Sequence, residues 1–192
     1  MKLVFATHNQ HKFDEVLSLM PKHVTLLSLP MIGCTEEIPE TGNTLEQNAL
    51  LKSDHVAKKY GYDCFADDTG LLVDALNGLP GVYSARYAGE ERDPEKNMAK
   101  LLKALDGIEN RAARFETVIS LHLKGRSQFF KGTVNGTITH TKNGGQGFGY
   151  DPIFQPEGHS QTFAQLPLAT KNQIGHRGRA IKKLIEFLNS YQ

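Results

Sequence analysis

Cysteine is scarce in this 192-residue chain, charge of one sign is not in excess, and no long hydrophobic run occurs. The two cysteines, Cys34 and Cys64, are isolated and lack zinc-site spacing, so in a reducing compartment they read as ordinary thiols rather than a disulfide. The 22 Lys and Arg against 21 Asp and Glu leave a formal net charge of +1, so no global field recruits nucleic acid or an anionic membrane. The apolar run Leu3-Val4-Phe5-Ala6 is too short for a signal-peptide core or a membrane span, and the expectation is a cytoplasmic protein with no membrane partner. Internal repeats and low-complexity linkers are missing as well. With 39% hydrophobic residues the chain supports one substantial core, and a single bilobed domain over residues 1–192 is expected.

What is present alternates between helix and strand in the first half. Leu3 to Ala6 reads as a buried strand, and Phe13, Val16, Leu17 and Met20 follow at helical spacing, which puts Thr7 to Lys12 at a strand-to-helix junction. Val24 to Leu29 reads as a second strand, Glu36 to Asn43 as a loop, and Leu45, Ala49, Val56, Ala57 and Tyr60 as one face of a helix capped near Thr44. A further helix starts at the cap Asp93 with Pro94 in its first turn, carries Met98, Leu101, Leu102 and Leu105, and closes at Gly107. From Phe115 to Thr141 the period changes to two, broken by Lys124-Gly125-Arg126, which predicts an antiparallel hairpin. Ile181, Leu184, Ile185 and Leu188 mark a closing helix, with Thr170 to Arg179 read as a polar, glycine-bearing loop ahead of it. The fold class expected is α/β, with a mixed β-sheet spanning two lobes and a substrate cleft between them.

Four constellations carry chemistry. In Phe65-Ala66-Asp67-Asp68-Thr69-Gly70, an apolar strand ends in two adjacent carboxylates, which repel unless a cation or hydrogen-bond donors stabilise them; Mg2+ is the hard, oxygen-seeking ion that suits them. Glu40 and Lys52 would join this acidic site if the fold assembled them, the lysine offsetting charge on a transferring phosphoryl group. Thr7-His8-Asn9-Gln10-His11-Lys12 gathers hydroxyl, amide and ammonium groups at a helix amino terminus, an anion site that is not a Walker loop because the glycines of that motif are missing. Gly147-Phe148-Gly149-Tyr150-Asp151-Pro152 exposes aromatic rings as a platform for a base, and Lys171, His176 and Arg177 are donors suited to a purine 6-keto oxygen. Taken singly, each of these has a plain structural reading: an acidic turn, a capped helix, a packed aromatic turn, a solvated basic loop.

Taken together, A-T-H-N-Q-H-K, E-T-G-N-T-L-E-Q-N-A, A-D-D-T-G-L, G-V-Y-S-A-R-Y, G-F-G-Y-D-P-I-F and K-N-Q-I-G-H-R-G-R-A occur in the order found in the inosine triphosphate pyrophosphatase family, also called the Ham1 or non-canonical purine NTP pyrophosphatase family. The chain resembles that family from end to end. The resemblance implies a homodimer that hydrolyses ITP, dITP and XTP to the monophosphate and pyrophosphate with Mg2+. It further implies that Asp68 is the proton acceptor and, with Glu40, a metal ligand. Substrate contacts fall to Thr7, His8, Asn9, Gln10, His11, Lys12, Thr69, Phe148, Gly149, Tyr150, Asp151, Lys171, His176 and Arg177. By the same resemblance Phe148 is expected to stack on the base, and Lys52 and Arg86 are candidate phosphate partners. Asp67 receives no role beyond shaping the acidic site, and Gln165 stands where the family resemblance leads one to expect an acid. Two rivals remain open at this stage: a Maf-like pyrophosphatase of modified nucleotides, and an RNA-binding module using the basic stretch from Lys171 to Lys183, against which the near-neutral charge counts.

Overall fold

The computed structural model describes residues 1–190, which form seven strands and five α-helices. The strands are β1 (Lys2–Phe5), β2 (Thr25–Leu27), β3 (Cys64–Val73), β4 (Pro80–Gly81), β5 (Ala112–Leu123), β6 (Arg126–Ile138) and β7 (Phe154–Pro156). The helices are α1 (Gln10–Leu17), α2 (Leu45–Tyr60), α3 (Pro94–Ala104), α4 (Leu168–Ile174) and α5 (His176–Ser190). The sheet is mixed, in the order β2-β1-β3-β5-β6-β7 with β4 paired to β3; β1 runs parallel to β2 and β3, while β3 to β4 and β6 to β7 are antiparallel. Among the described residues, no helix is long and apolar enough to cross a membrane.

The chain divides into two compact units. One holds Met1–Asp68, Thr117–Gly132 and the described residues from Arg177 onward; the other holds Thr69–Glu116 and Thr133–His176. In the first unit, Leu3, Phe5 and Phe65 pack with Ile119, Leu121, Ile181 and Leu184, and the Phe5 and Phe65 rings stack with centroids 4.6 Å apart. In the second, Leu71, Val73, Met98, Leu101 and Phe115 pack with Ile138, Phe154 and Phe163.

Local chemistry sets the element ends. Thr44 caps α2 by accepting from the Gln47 N–H, and Asp93 caps α3 by accepting from Glu95 and Lys96, with Pro94 in the first turn as expected. Helix α3 stops at Ala104, before Gly107, which adopts a left-handed φ of 69° beyond it. Lys124 and Gly125, both at positive φ, turn β5 into β6 and fulfil the predicted hairpin.

Three expectations need correction. Asp67 and Asp68 do not end a strand: β3 continues through Val73, because Leu71 and Val73 are fully buried and extend the apolar ladder. Residues 170–179 are not a loop but lie on α4 and α5, separated by Gly175. On α1 the inward face is Phe13, Glu15 and Val16, whereas Leu17 is half exposed, so an acid takes a core position that the apolar stripe assigned to leucine.

Candidate active site

The first half of β3, Cys64 to Asp68, lies in the core of the first unit, so Asp67 and Asp68 are both held away from water, at 1% and 8% residue exposure. Alternation along a strand points consecutive side chains to opposite faces. Their partners differ accordingly. Asp67 Oδ1 accepts from Lys12 Nζ at 2.9 Å and its Oδ2 accepts from Arg177 Nε at 3.0 Å. Arg177 in turn donates through NH1 to the buried carboxylate of Glu15 on α1. This is a buried chain of alternating charge, from Lys12 through Asp67 and Arg177 to Glu15.

Asp68 has a different setting. Its Oδ2 accepts from Asn48 Nδ2 at 3.0 Å, and Lys52 Nζ lies 3.8 Å from its Oδ1. Lys52, projecting from α2 as expected, also donates to Glu40 at 2.5 Å and to the Asp67 carbonyl at 2.7 Å. The structure therefore assembles Glu40, Lys52, Asp67 and Asp68 from a loop, a helix and a strand. The Asn48 amide is itself fixed, because its Oδ1 accepts from the Gly42 N–H at 2.7 Å. Any side chain at Gly42 would meet Gln47 Cβ at 2.6 Å and Asn48 Oδ1 at 2.8 Å, so glycine is needed for this close approach.

Electrostatics separate the two aspartates. Burial disfavours charge on Asp67, yet Lys12, Arg177 and Lys52 outweigh it and hold that carboxyl well below the usual range. For Asp68 burial prevails over the attraction of Lys52 and Lys12, and Glu40 adds repulsion, so its carboxyl titrates above the usual value. Burial also depresses Lys12 despite Asp67, with Lys52 and Arg177 pushing the same way. Lys52 is buried too, but Asp68, Glu40 and Asp67 overcome the desolvation and raise it. Glu40 and Asp68 are an all-oxygen donor pair beside a lysine, a chemistry that fits Mg2+ rather than a soft metal.

Thr7 to Lys12 lies between β1 and the first turn of α1, the strand-to-helix junction expected. Asn9 caps α1, its side chain accepting from the Lys12 N–H at 3.1 Å, while its own N–H donates to Thr7 Oγ1 at 3.1 Å. Gln10 donates to Asp14 at 2.7 Å, His8 Nε2 bonds the Glu36 carbonyl at 2.9 Å, and His8 through His11 are exposed at the helix start. Lys12 points back to Asp67.

In the second unit, Asp151 organises the aromatic turn. Its Oδ2 accepts from the Phe148 N–H at 2.8 Å and from Lys171 Nζ at 2.7 Å. The Lys171 ammonium lies 4.7 Å from the Phe148 ring centroid, a cation–π arrangement. Gly147 is required here, since a Cβ on it, at φ 78°, would collide with the Asp151 carboxylate. Tyr150 is buried and donates to the Ser84 carbonyl at 2.8 Å, so its hydroxyl anchors the turn. His176 is buried and stacks on Phe115 with centroids 4.6 Å apart. Thr69 and Gly149 are half-buried in this unit, the Arg86 guanidinium lies 5.3 Å from the Tyr83 ring centroid, and Gln165 Oε1 accepts from the Thr162 N–H at 2.9 Å.

Lys171 and His176 thus share a unit with Phe148, whereas Arg177 belongs to the other and is committed to Asp67 and Glu15. Sequence reasoning gave no role to Glu15 or Asn48. An acid in the inward register of α1 was the signal for Glu15; nothing local marked Asn48, which is only one polar residue on α2.

The model of the Ham1 family matches residues 3–187. The chain is 59% identical over 190 residues to a Flavobacterium johnsoniae protein named dITP/XTP pyrophosphatase, covering 99% of each. It is 44% identical over 191 residues to a Bacillus subtilis protein of the same name, covering 97% of this chain and 96% of that one. The solved Ham1 protein of Staphylococcus aureus matches it with a TM-score of 0.91 at 42% identity over the whole of both chains. A HAM1 protein from Coxiella burnetii matches with a TM-score of 0.91 at 35% identity over 99% of each.

Proposed function

The chain belongs to the Ham1 family, and from that premise we propose that it hydrolyses non-canonical purine nucleoside triphosphates, ITP, dITP and XTP, to the monophosphate and pyrophosphate, clearing them from the nucleotide pool. The observation that carries the reading is Asp68: a buried carboxylate of raised proton affinity, oriented by Asn48 and set beside Lys52 and Glu40. A base must be able to take a proton near neutral pH, and a raised carboxylate does so better than an ordinary one.

In this reading Asp68 accepts the proton of a water attacking the α-phosphorus in line, and no covalent intermediate is needed. Lys12, on the capped start of α1, stabilises charge on the departing pyrophosphate together with the positive end of the helix dipole. Lys52 offsets charge near Asp68. Glu40 and Asp68 would hold Mg2+, which when bound supplies neutralisation of phosphate charge and polarisation of the phosphoryl oxygen. Phe148 stacks on the base, with Asp151 and Lys171 fixing the ring and its N–H. Lys171 and His176 select the 6-keto purine, a role the family resemblance extends to Arg177, whose Nε and NH1 are engaged by Asp67 and Glu15; Thr69, Gly149 and Tyr150 complete the contacts. A single domain over residues 1–192 is part of this reading; a homodimeric assembly and a cytoplasmic setting rest on the family resemblance.

The test is product analysis with ITP, XTP, GTP and ATP, in Mg2+ and in EDTA. Pyrophosphate from ITP and XTP that requires Mg2+ is the expected result. Orthophosphate as product, or equal turnover of ATP, would assign a different phosphohydrolase.

A further inference from the structure

The first unit carries a second group of metal-ligating side chains, made of different atoms from the Glu40 and Asp68 pair. Cys34, Glu36 and His55 each present one ligand atom, and these atoms all lie within 4.8 Å of one another. They come from separate places. Cys34 follows the left-handed Gly33 that ends a short 3-10 helix, its N–H donating to the Leu29 carbonyl; Glu36 lies two residues on; His55 projects from the middle of α2. His55 Nε2 is 2.9 Å from Glu36 Oε1, and the side chains of these two residues are 26% and 35% exposed, so solvent reaches the group above the buried thiol.

We propose that Cys34, Glu36 and His55 form a binding site for a borderline-soft divalent cation of the zinc class. One sulfur, one imidazole nitrogen and one carboxylate oxygen make a donor set that Mg2+ does not select and Zn2+ does, with a fourth position open to water. Two neighbours define how the site loads. Lys59 Nζ donates to Glu36 Oε1 at 2.7 Å, but its side chain is 55% exposed and on a flexible stem, so the ammonium swings into solvent when a dication replaces it. Tyr60 donates its hydroxyl to Glu36 at 2.8 and 2.9 Å and orients the carboxylate from outside the ligand set. On binding, Cys34 coordinates as the thiolate and its proton passes to solvent. The consequence reaches the anion segment, because the Glu36 carbonyl is the partner of His8.

The test uses Co2+ as a spectroscopic probe on the full chain, stripped with EDTA and exchanged into metal-free buffer. One equivalent should give a thiolate-to-cobalt charge-transfer band that Zn2+ removes and excess Mg2+ does not. Cys34→Ser should abolish the band, and His55→Ala should weaken binding by on the order of tenfold or more. Lys59→Ala should tighten Co2+ binding, an improvement that damaged folding cannot imitate. No charge-transfer band in the unaltered chain, a band that survives Cys34→Ser, or weaker binding in Lys59→Ala would overturn the proposal. The all-oxygen pair Glu40 and Asp68 cannot produce a thiolate band, so failure here leaves the pyrophosphatase reading untouched.

Discussion

Asp67 and Asp68 are neighbours on one buried strand, yet the first is held well below the usual carboxylate range by Lys12 and Arg177 while burial lifts the second above it. Two identical side chains therefore have two jobs. Asp67 is a permanent anion tying together cations from α1 and α5; Asp68 has its proton affinity raised and the neutral amide of Asn48 orienting it. Asp68→Asn should abolish pyrophosphate release from ITP while leaving the denaturation midpoint close to that of the unaltered protein. Asp67→Asn should instead lower stability by about 3–5 kcal/mol, the usual cost of stripping one partner from a buried ion pair. Urea denaturation beside a pyrophosphate assay separates the two; a strongly destabilised Asp68→Asn would assign that residue a structural role.

Glu15 closes the charged chain by accepting from Arg177, and with both groups nearly inaccessible its removal strips the buried guanidinium of that carboxylate. Glu15→Gln is expected to cost about 3–5 kcal/mol of stability. A double-mutant cycle with Arg177→Met should return a coupling of more than about 1 kcal/mol, as contacting residues of one network do. Additive effects in that cycle would mean that the two side chains stabilise the fold independently.

Legibility in the sequence followed the range of the interactions. Thr44 and Asp93-Pro94 announce their helices because a cap is made within three residues, and the Lys124-Gly125 turn announces its hairpin for the same reason. Asp67 to Gly70 was misread as a strand end because Asp, Thr and Gly are turn residues, and only the distant partners of β3 make extended backbone favourable there. Helix α4 escaped because seven residues with Thr, Asn and Gln give too short a pattern to register. Glu15 is buried for the sake of Arg177, 162 positions away, and no local pattern carries that pairing. The motifs nominated the candidate residues, while their present hydrogen-bond partners emerge only from the fold.

In the proposed reading Phe148 stacks on the base, a sequence-tolerant contact because stacking uses the face that every base has. Phe148→Ala should reduce kcat/KM for ITP and GTP together, by an amount corresponding to about 1–3 kcal/mol, or roughly 5- to 150-fold. The ratio between the two substrates should stay constant. A shift in that ratio would transfer part of the base selectivity from the polar donors to the ring.

Cys64 makes the alkaline behaviour of the protein testable. Burial, with help from Asp63 and Asp54, pushes its thiol up to about 12 from an ordinary 9.0, while its S–H donates to the Ser53 carbonyl at 3.1 Å. The unfolded chain ionises this thiol once the pH passes its ordinary value, whereas the folded chain keeps the proton until the raised one. Stability is therefore complete at neutral pH and falls as pH rises through the window between 9.0 and about 12, by up to about 1.4 kcal/mol per pH unit from this group alone. Cys64→Ala removes that slope. Urea denaturation of both proteins at successive pH values should show the unaltered chain losing stability relative to the variant above pH 9.0, with the difference constant below it. Parallel curves across the alkaline range would mean that the folded protein ionises Cys64 as readily as the unfolded one.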